Sequence, residues 1–186
     1  MPTDGDGLGY NGKDHPPCRR RADHPNPYPF NRDTQQGGLV IMVAIFVYGT
    51  LKPGETYHDR YCRPHLIQAT AAQVEGRLYH LPMGYPALTL EPGWVTGTLL
   101  QLRDDTGLAA MDAFEGYDPT RSPADNEYSR QWRSVLTCGG EPLGSAWMYV
   151  MDHPRVQRYQ GVWIPAGVWS HTDWPSIRPA PETTPP

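Results

Sequence analysis

An apolar, β-rich run, Val43-Ala44-Ile45-Phe46-Val47, continues through Tyr48 and stops at a glycine-centred turn, Gly49-Thr50-Leu51-Lys52-Pro53-Gly54. A strand that ends at a glycine lets consecutive backbone N–H groups point outward as an anion-binding concavity. The amides of Gly49, Thr50 and Leu51 are therefore candidate ligands for a substrate carboxylate. The same spacing also fits an ordinary strand-to-loop turn, and it is not a P-loop. A second segment, Met111-Asp112-Ala113-Phe114-Glu115-Gly116-Tyr117, sets one carboxylate among apolar neighbours at a helix end. A carboxyl flanked by Phe114 and Tyr117 can be held protonated by desolvation, which suits it to general acid/base work near neutral pH. Asp112, three residues earlier on the same helical face, and Glu55 beside the turn are the rival carboxylates.

The 186 residues carry a formal charge of −4 and no polybasic run, which argues against nucleic acid and anionic membrane as partners. The three cysteines, Cys18, Cys62 and Cys138, lack paired spacing, which argues against a disulfide framework. The histidines form no cluster at zinc spacing, so no metal is expected. The longest apolar run, Leu39 to Tyr48, is too short to span a bilayer. The expectation is a soluble, cytoplasmic protein.

Residues 1–41 are rich in Pro, Gly, Asp, Asn and Arg, and too poor in aliphatics to offset ordering entropy. They read as a disordered leader, with translation from Met42 as an alternative. Residues 152–186 hold seven of the 21 prolines and read as an extended arm with a Pro-rich tail. The core domain spans 42–151. Within it the expected elements are a strand at 42–48 and a helix or helical turn over Glu55–Leu66. A strand over Thr70–Leu81, a loop from Pro82 to Pro92 and a strand over Trp94–Leu102 follow. Asp104-Asp105-Thr106 starts a helix that Gly116 ends. Tyr128–Cys138 and Gly144–Met151 close the list as strands joined through Gly139-Gly140-Glu141. The order βαββαββ, with glycines inside strands, predicts an α+β fold: a small mixed β-barrel with flanking helices.

Five tyrosines, Tyr48, Tyr79, Tyr85, Tyr117 and Tyr128, are spread through this domain. Each can line a pocket and donate from its hydroxyl, or pack in the core with that hydroxyl satisfied. Arg130 shares a strand face with Tyr128 and can pair with a carboxylate or stay at a solvated edge. The sequence has neither GxSxG nor GxGxxG, so neither a nucleophilic triad nor a dinucleotide site is indicated.

Several motifs in order resemble the gamma-glutamylcyclotransferase-like (AIG2-like) family. They are Val47-Tyr48-Gly49-Thr50-Leu51-Lys52-Pro53-Gly54, Val74-Glu75-Gly76-Arg77-Leu78-Tyr79, Tyr85-Pro86-Ala87-Leu88, Val95 to Leu100, Met111 to Tyr117, Tyr128-Ser129-Arg130 and Ala146-Trp147-Met148-Tyr149. The resemblance covers about residues 43–151. It implies a small β-barrel and a loop, Tyr48–Leu51, that holds the α-carboxylate and amine end of a γ-glutamyl group. It also implies Glu115 as the catalytic acid/base. Tyr85, Tyr117, Tyr128 and Arg130 are the further candidates for the substrate site, with Tyr128 and Arg130 either touching substrate or supporting Glu115. The implied reaction is closure of a γ-glutamyl substrate to 5-oxoproline with release of an amine, without metal or cofactor. Where relatives carry an asparagine or histidine pair after the loop, this sequence has Glu55-Thr56-Tyr57-His58, and only His58 matches. The alternative on the same fold is a non-catalytic module binding a small carboxylate-bearing ligand.

Overall fold

The computed structural model describes residues 43–174. The expected leader 1–41 and the end of the Pro-rich tail lie outside the described residues.

The apolar run forms β1 (Val43–Val47) and takes neighbours on both edges. It pairs antiparallel with β3 (Pro86–Leu102) and parallel with β5 (Pro142–Val150). Successive side chains on a strand alternate faces. Ile45 and Val47 enter one buried cluster, and Phe46 and Tyr48 enter another. Burial on both faces explains why this segment is continuously apolar rather than alternating.

The long hairpin of β2 (Leu66–His80) with β3 is the largest pairing, and β4 (Ser129–Leu136) pairs antiparallel with β5. A contact of β2 with β4 at Gln73 and Leu136 completes the neighbour order β3-β1-β5-β4-β2, and β2 returns to β3. The ladder therefore runs round from β3 back to β3, as a mixed α+β fold with flanking helices. α1 is short (His58–Tyr61) and is followed by a 3-10 turn at Arg63–His65. The expected longer helix there is interrupted because Pro64 cannot donate in a helix interior.

The loop expected from Pro82 to Pro92 shrinks to a turn closed by Gly84 N–H on Leu81 O (2.9 Å) and Leu81 N–H on Tyr85 O (3.0 Å). β3 begins at Pro86. Its second proline, Pro92, sits at the register shift between Glu75 and Arg77, where a missing ladder donor is tolerated.

α2 (Thr106–Phe114) starts as the sequence indicates, but Asp104 is the capping side chain, accepting from Thr106 N–H at 3.1 Å. Leu108 and Met111 bury against Ile45, Leu100 and Leu102. Gly116, with φ +64°, ends the helix in the left-handed conformation.

Beyond residue 151 the chain is more structured than an extended arm. Asp152 caps α3 (His153–Arg158), accepting from Arg155 N–H at 2.7 Å, and β6 (Val162–Trp163) pairs with Tyr79 and His80 of β2. Trp169 is fully buried with Phe46, Leu78 and Leu88. Cys62 is a free buried thiol. Among the described residues no helix is long and apolar enough to cross a membrane.

Candidate active site

The end of β1, the β2–β3 turn, the end of α2 and the start of β4 converge on a cavity of about 290 Å³. Tyr48, Gly49, Thr50, Leu51, Tyr85, Glu115 and Tyr128 all line it. Tyr117 and Arg130 are not in its wall.

The loop after β1 is folded on itself. Lys52 N–H donates to Gly49 O, Glu55 N–H to Lys52 O and Tyr57 N–H to Thr50 O, each at 3.0 Å. His58 Nδ1 sits 2.8 Å from Leu51 O, and because a carbonyl only accepts, that nitrogen carries the proton. Cys62 Sγ lies 3.4 Å from the same oxygen, and burial, then the Glu115 charge, pushes its thiol up to about 12. These bonds engage the carbonyls of Gly49, Thr50 and Leu51 within the loop. Among the described residues nothing accepts from the N–H groups of Gly49, Thr50 and Leu51. The loop lies close against Pro86: a β-carbon on Gly49 would stand 2.6 Å from Pro86 Cγ.

Glu115 keeps some accessible surface because it lines the cavity. Its carboxyl is nevertheless pushed up from 4.5 to about 8, mainly by burial and secondly by the charge of Glu127. Among the described residues no donor is hydrogen-bonded to it. Both rival carboxylates are engaged elsewhere. Asp112 is ion-paired with Arg130 and accepts from Tyr149 OH at 2.8 Å, while Glu55 is paired with His171 at 2.8 Å.

Arg130 packs its guanidinium over the Tyr117 ring (5.2 Å) and the Trp147 ring (4.8 Å). It thus supports the wall from behind, through Asp112 and Tyr149.

Three tyrosine hydroxyls of the wall singled out by the sequence already serve protein acceptors. Tyr48 OH donates to Tyr149 O (2.9 Å), Tyr128 OH to Pro86 O (2.9 Å) and Tyr85 OH to Glu127 Oε1 (2.7 Å). Tyr48 also accepts from Leu88 N–H at 3.3 Å. Burial raises the pKa of each, so they stay protonated, and they shape the cavity rather than offering it free protons. Glu127, Tyr57 and Tyr149 belong to the site too, and sequence reasoning did not single them out; Phe114, read there as an apolar neighbour of Glu115, also lines the cavity. A signal for Glu127 existed in its place directly before Tyr128. Among the described residues no group of three or more His, Cys, Asp and Glu is arranged to hold a metal ion.

The described geometry coincides with a family match. The family model "Gamma-glutamyl cyclotransferase, AIG2-like" matches residues 45–171, a span that includes every wall residue named above and the segment through β6. The chain belongs to the AIG2-like gamma-glutamyl cyclotransferase family. It is 33% identical over 117 residues to the gamma-L-glutamyl-butirosin B gamma-glutamyl cyclotransferase of Niallia circulans, covering 62% of this chain and 72% of that protein. The crystal structure of an AIG2-like protein from Mus musculus superposes with a TM-score of 0.54 at 23% identity, covering 77% of this chain and 99% of that one; it supports the fold. YkqA from Bacillus subtilis shares 23% identity at a TM-score of 0.49, over 69% of this chain and 40% of that longer chain.

Proposed function

We propose that this protein releases 5-oxoproline from a small γ-glutamyl substrate. The observation that carries the reading is the pairing, in one cavity, of the high-pKa carboxyl of Glu115 with the open amides of Gly49, Thr50 and Leu51. A γ-glutamyl compound presents an α-carboxylate, an α-ammonium and a γ-carbonyl on one short chain. The loop amides bind the α-carboxylate, as amides of a backbone concavity do. Ionised Glu115 takes a proton from the α-ammonium. The freed amine attacks the γ-carbonyl, an N–C bond forms, and a five-membered ring closes through a tetrahedral oxyanion. Glu115 then returns the proton to the leaving nitrogen, the oxyanion collapses as the original amide C–N bond breaks, and the surplus proton on the ring nitrogen passes to the departing amine, which leaves as an ammonium ion. Both reactants are tethered, so holding the folded conformer supplies much of the acceleration. The base contributes a further factor of about 10²–10⁴.

The γ-glutamyl half is the part of the Niallia circulans protein's named substrate carried over to this chain. The test is 5-oxoproline release from a panel of γ-glutamyl amines, γ-glutamyl amino acids and glutathione, by wild type and Glu115→Gln. Release that collapses in the variant while substrate still binds supports the reading. No release from any member with the fold intact leaves a binding module for a small carboxylate. Equal release by both proteins removes Glu115 from the chemistry.

A further inference from the structure

The cavity holds one more acidic side chain than the chemistry on the γ-glutamyl half uses. Its wall has two carboxylates, Glu115 and Glu127, and among the described residues no Lys, Arg or His lines it. Glu127 is held in place by Tyr85 OH at 2.7 Å. It takes part in none of the ion pairs among the described residues. Arg155 does reach Glu127, but through the backbone: its guanidinium donates to Glu127 O at 2.8 Å and to Asn126 O, leaving the carboxylate unneutralised.

On the cyclotransferase reading, the substrate's α-carboxylate faces the loop amides and its α-ammonium gives a proton to Glu115. No group of the γ-glutamyl half then answers Glu127. The aromatic side chains of the wall include Tyr57, Tyr85 and Phe114, with ring centroids of Tyr57 and Phe114 4.9 Å apart. Aromatic faces beside a carboxylate favour an ammonium on a short apolar stem and disfavour a carboxylate.

We propose that Glu127 selects substrates whose leaving half carries a second positive charge, and that γ-glutamyl conjugates ending in a carboxylate are poor substrates. This inference rests on the cyclotransferase reading of the site. The chemical class is a γ-glutamyl conjugate of a diamine, polyamine or other amine-rich molecule. An ammonium reaches the Glu127 carboxylate in a charge-assisted hydrogen bond, while Tyr85 keeps that carboxylate in position.

The experiment uses three conjugates of matched length: the γ-glutamyl derivatives of 1,4-diaminobutane, of pentylamine and of 4-aminobutyrate. For wild type, kcat/KM for the diamine conjugate should exceed that for the neutral one by about tenfold or more, the scale of a charge-assisted hydrogen bond. The carboxylate conjugate should be slowest. In Glu127→Gln the charged-to-neutral ratio should fall towards one.

A ratio near one in wild type overturns the proposal, and so does a ratio that survives in the variant. An equal fall for all three conjugates also overturns it, since Glu127 would then serve the common γ-glutamyl half. Calorimetric binding of the 1,4-diaminobutane and pentylamine conjugates to Glu115→Gln and to the Glu115→Gln/Glu127→Gln double variant reads the same preference without turnover. Its presence with no 5-oxoproline from any conjugate would discard the cyclotransferase reading and keep the selection by charge. Its absence would discard the selection. Circular dichroism and thermal melting of the variant check that its fold is retained.

Discussion

Glu115 and Glu127 enter one cavity from opposite ends of the segment joining α2 to β4, and the charge of Glu127 adds to burial in keeping the proton on Glu115. A general base works only when ionised, so kcat/KM should rise with pH to a limb centred at about 8, the value to which the Glu115 carboxyl is pushed. Glu127→Gln removes the like charge and should move that limb to lower pH. A pH–rate series for the two proteins on one neutral γ-glutamyl amine checks this. A limb that stays in place would show that Glu127 does not act on Glu115.

The same carboxyl should weaken the fold. Its folded value, about 8, lies above the ordinary 4.5, so between those two pH values the native state holds a proton that the unfolded state has lost. Stability contributed by this group therefore falls as pH rises from about 4.5 to about 8, and the loss is complete above that. Glu115→Gln abolishes the effect. The variant should melt at a higher temperature than wild type at pH 9, and the gap should narrow as the pH falls to 5. Melts at the two pH values, with activity recorded alongside, would show stability gained where turnover is lost, as expected of a strained functional group.

Much of this arrangement was legible in the sequence, and the remainder was hidden for physical reasons. β1 declared itself because a strand buried on both faces is continuously apolar. The end of α2 was marked by Gly116, which fixed where Glu115 emerges. The loop 49–51 was legible from its glycine. Residues 152–174 were not, because their partners are remote: Trp169 Nε1 donates to His80 Nδ1 at 3.2 Å across 89 positions, and no local pattern records such a contact. Glu127 was missed because a charged residue in a polar loop looks solvated until the fold brings Tyr85 to it. Arg130 and Tyr117 were grouped with the substrate from order along the chain, whereas their rings and charges meet one step behind the wall.

Gly49 is a place where a single methyl group should matter. A β-carbon there would lie 2.6 Å from Pro86 Cγ and 2.9 Å from Pro86 Cδ, so the loop or the proline must move. Overpacking of this kind costs about 1–3 kcal/mol, and a shift of about 1 Å in a positioning element can lower turnover by about 10²-fold. Gly49→Ala should therefore remain folded by circular dichroism yet lose activity. KM should rise, because the displaced amides are those assigned to the α-carboxylate.

The Asp112–Arg130 pair should show the opposite balance. Its side chains are 15% and 17% exposed, and Arg130 is also stacked on Tyr117 and Trp147. Removing one member of a nearly buried pair leaves the other uncompensated, at about 3 kcal/mol. Arg130→Met should shift the denaturant midpoint strongly. Arg130→Lys should restore only part of it, since an ammonium lacks the planar stacking face. The activity of the folded fraction should fall less than stability, because Asp112 reaches the cavity only through Tyr149.

The strap after β6 gives a last expectation, for the substrate loop itself. Lys52 Nζ donates to Trp169 O at 2.5 Å, and Glu55 accepts from His171 N–H at 3.2 Å and pairs with its ring at 2.8 Å. Both Lys52 and Glu55 lie on the turn that begins at Gly49, so the strap fastens the far side of that turn. His171 is half-exposed, so His171→Ala should change global stability little. It should free Glu55 and let the turn fluctuate, raising KM a few-fold at constant kcat, since the amides would bind ground state and transition state equally less well. Trp169→Ala is a different perturbation: it empties a fully buried site and should cost about 3–5 kcal/mol. If the strap only completes the core, His171→Ala will leave KM unchanged and Trp169→Ala will lower the melting temperature alone. A rise in KM for His171→Ala without a change in melting temperature assigns the strap to the loop.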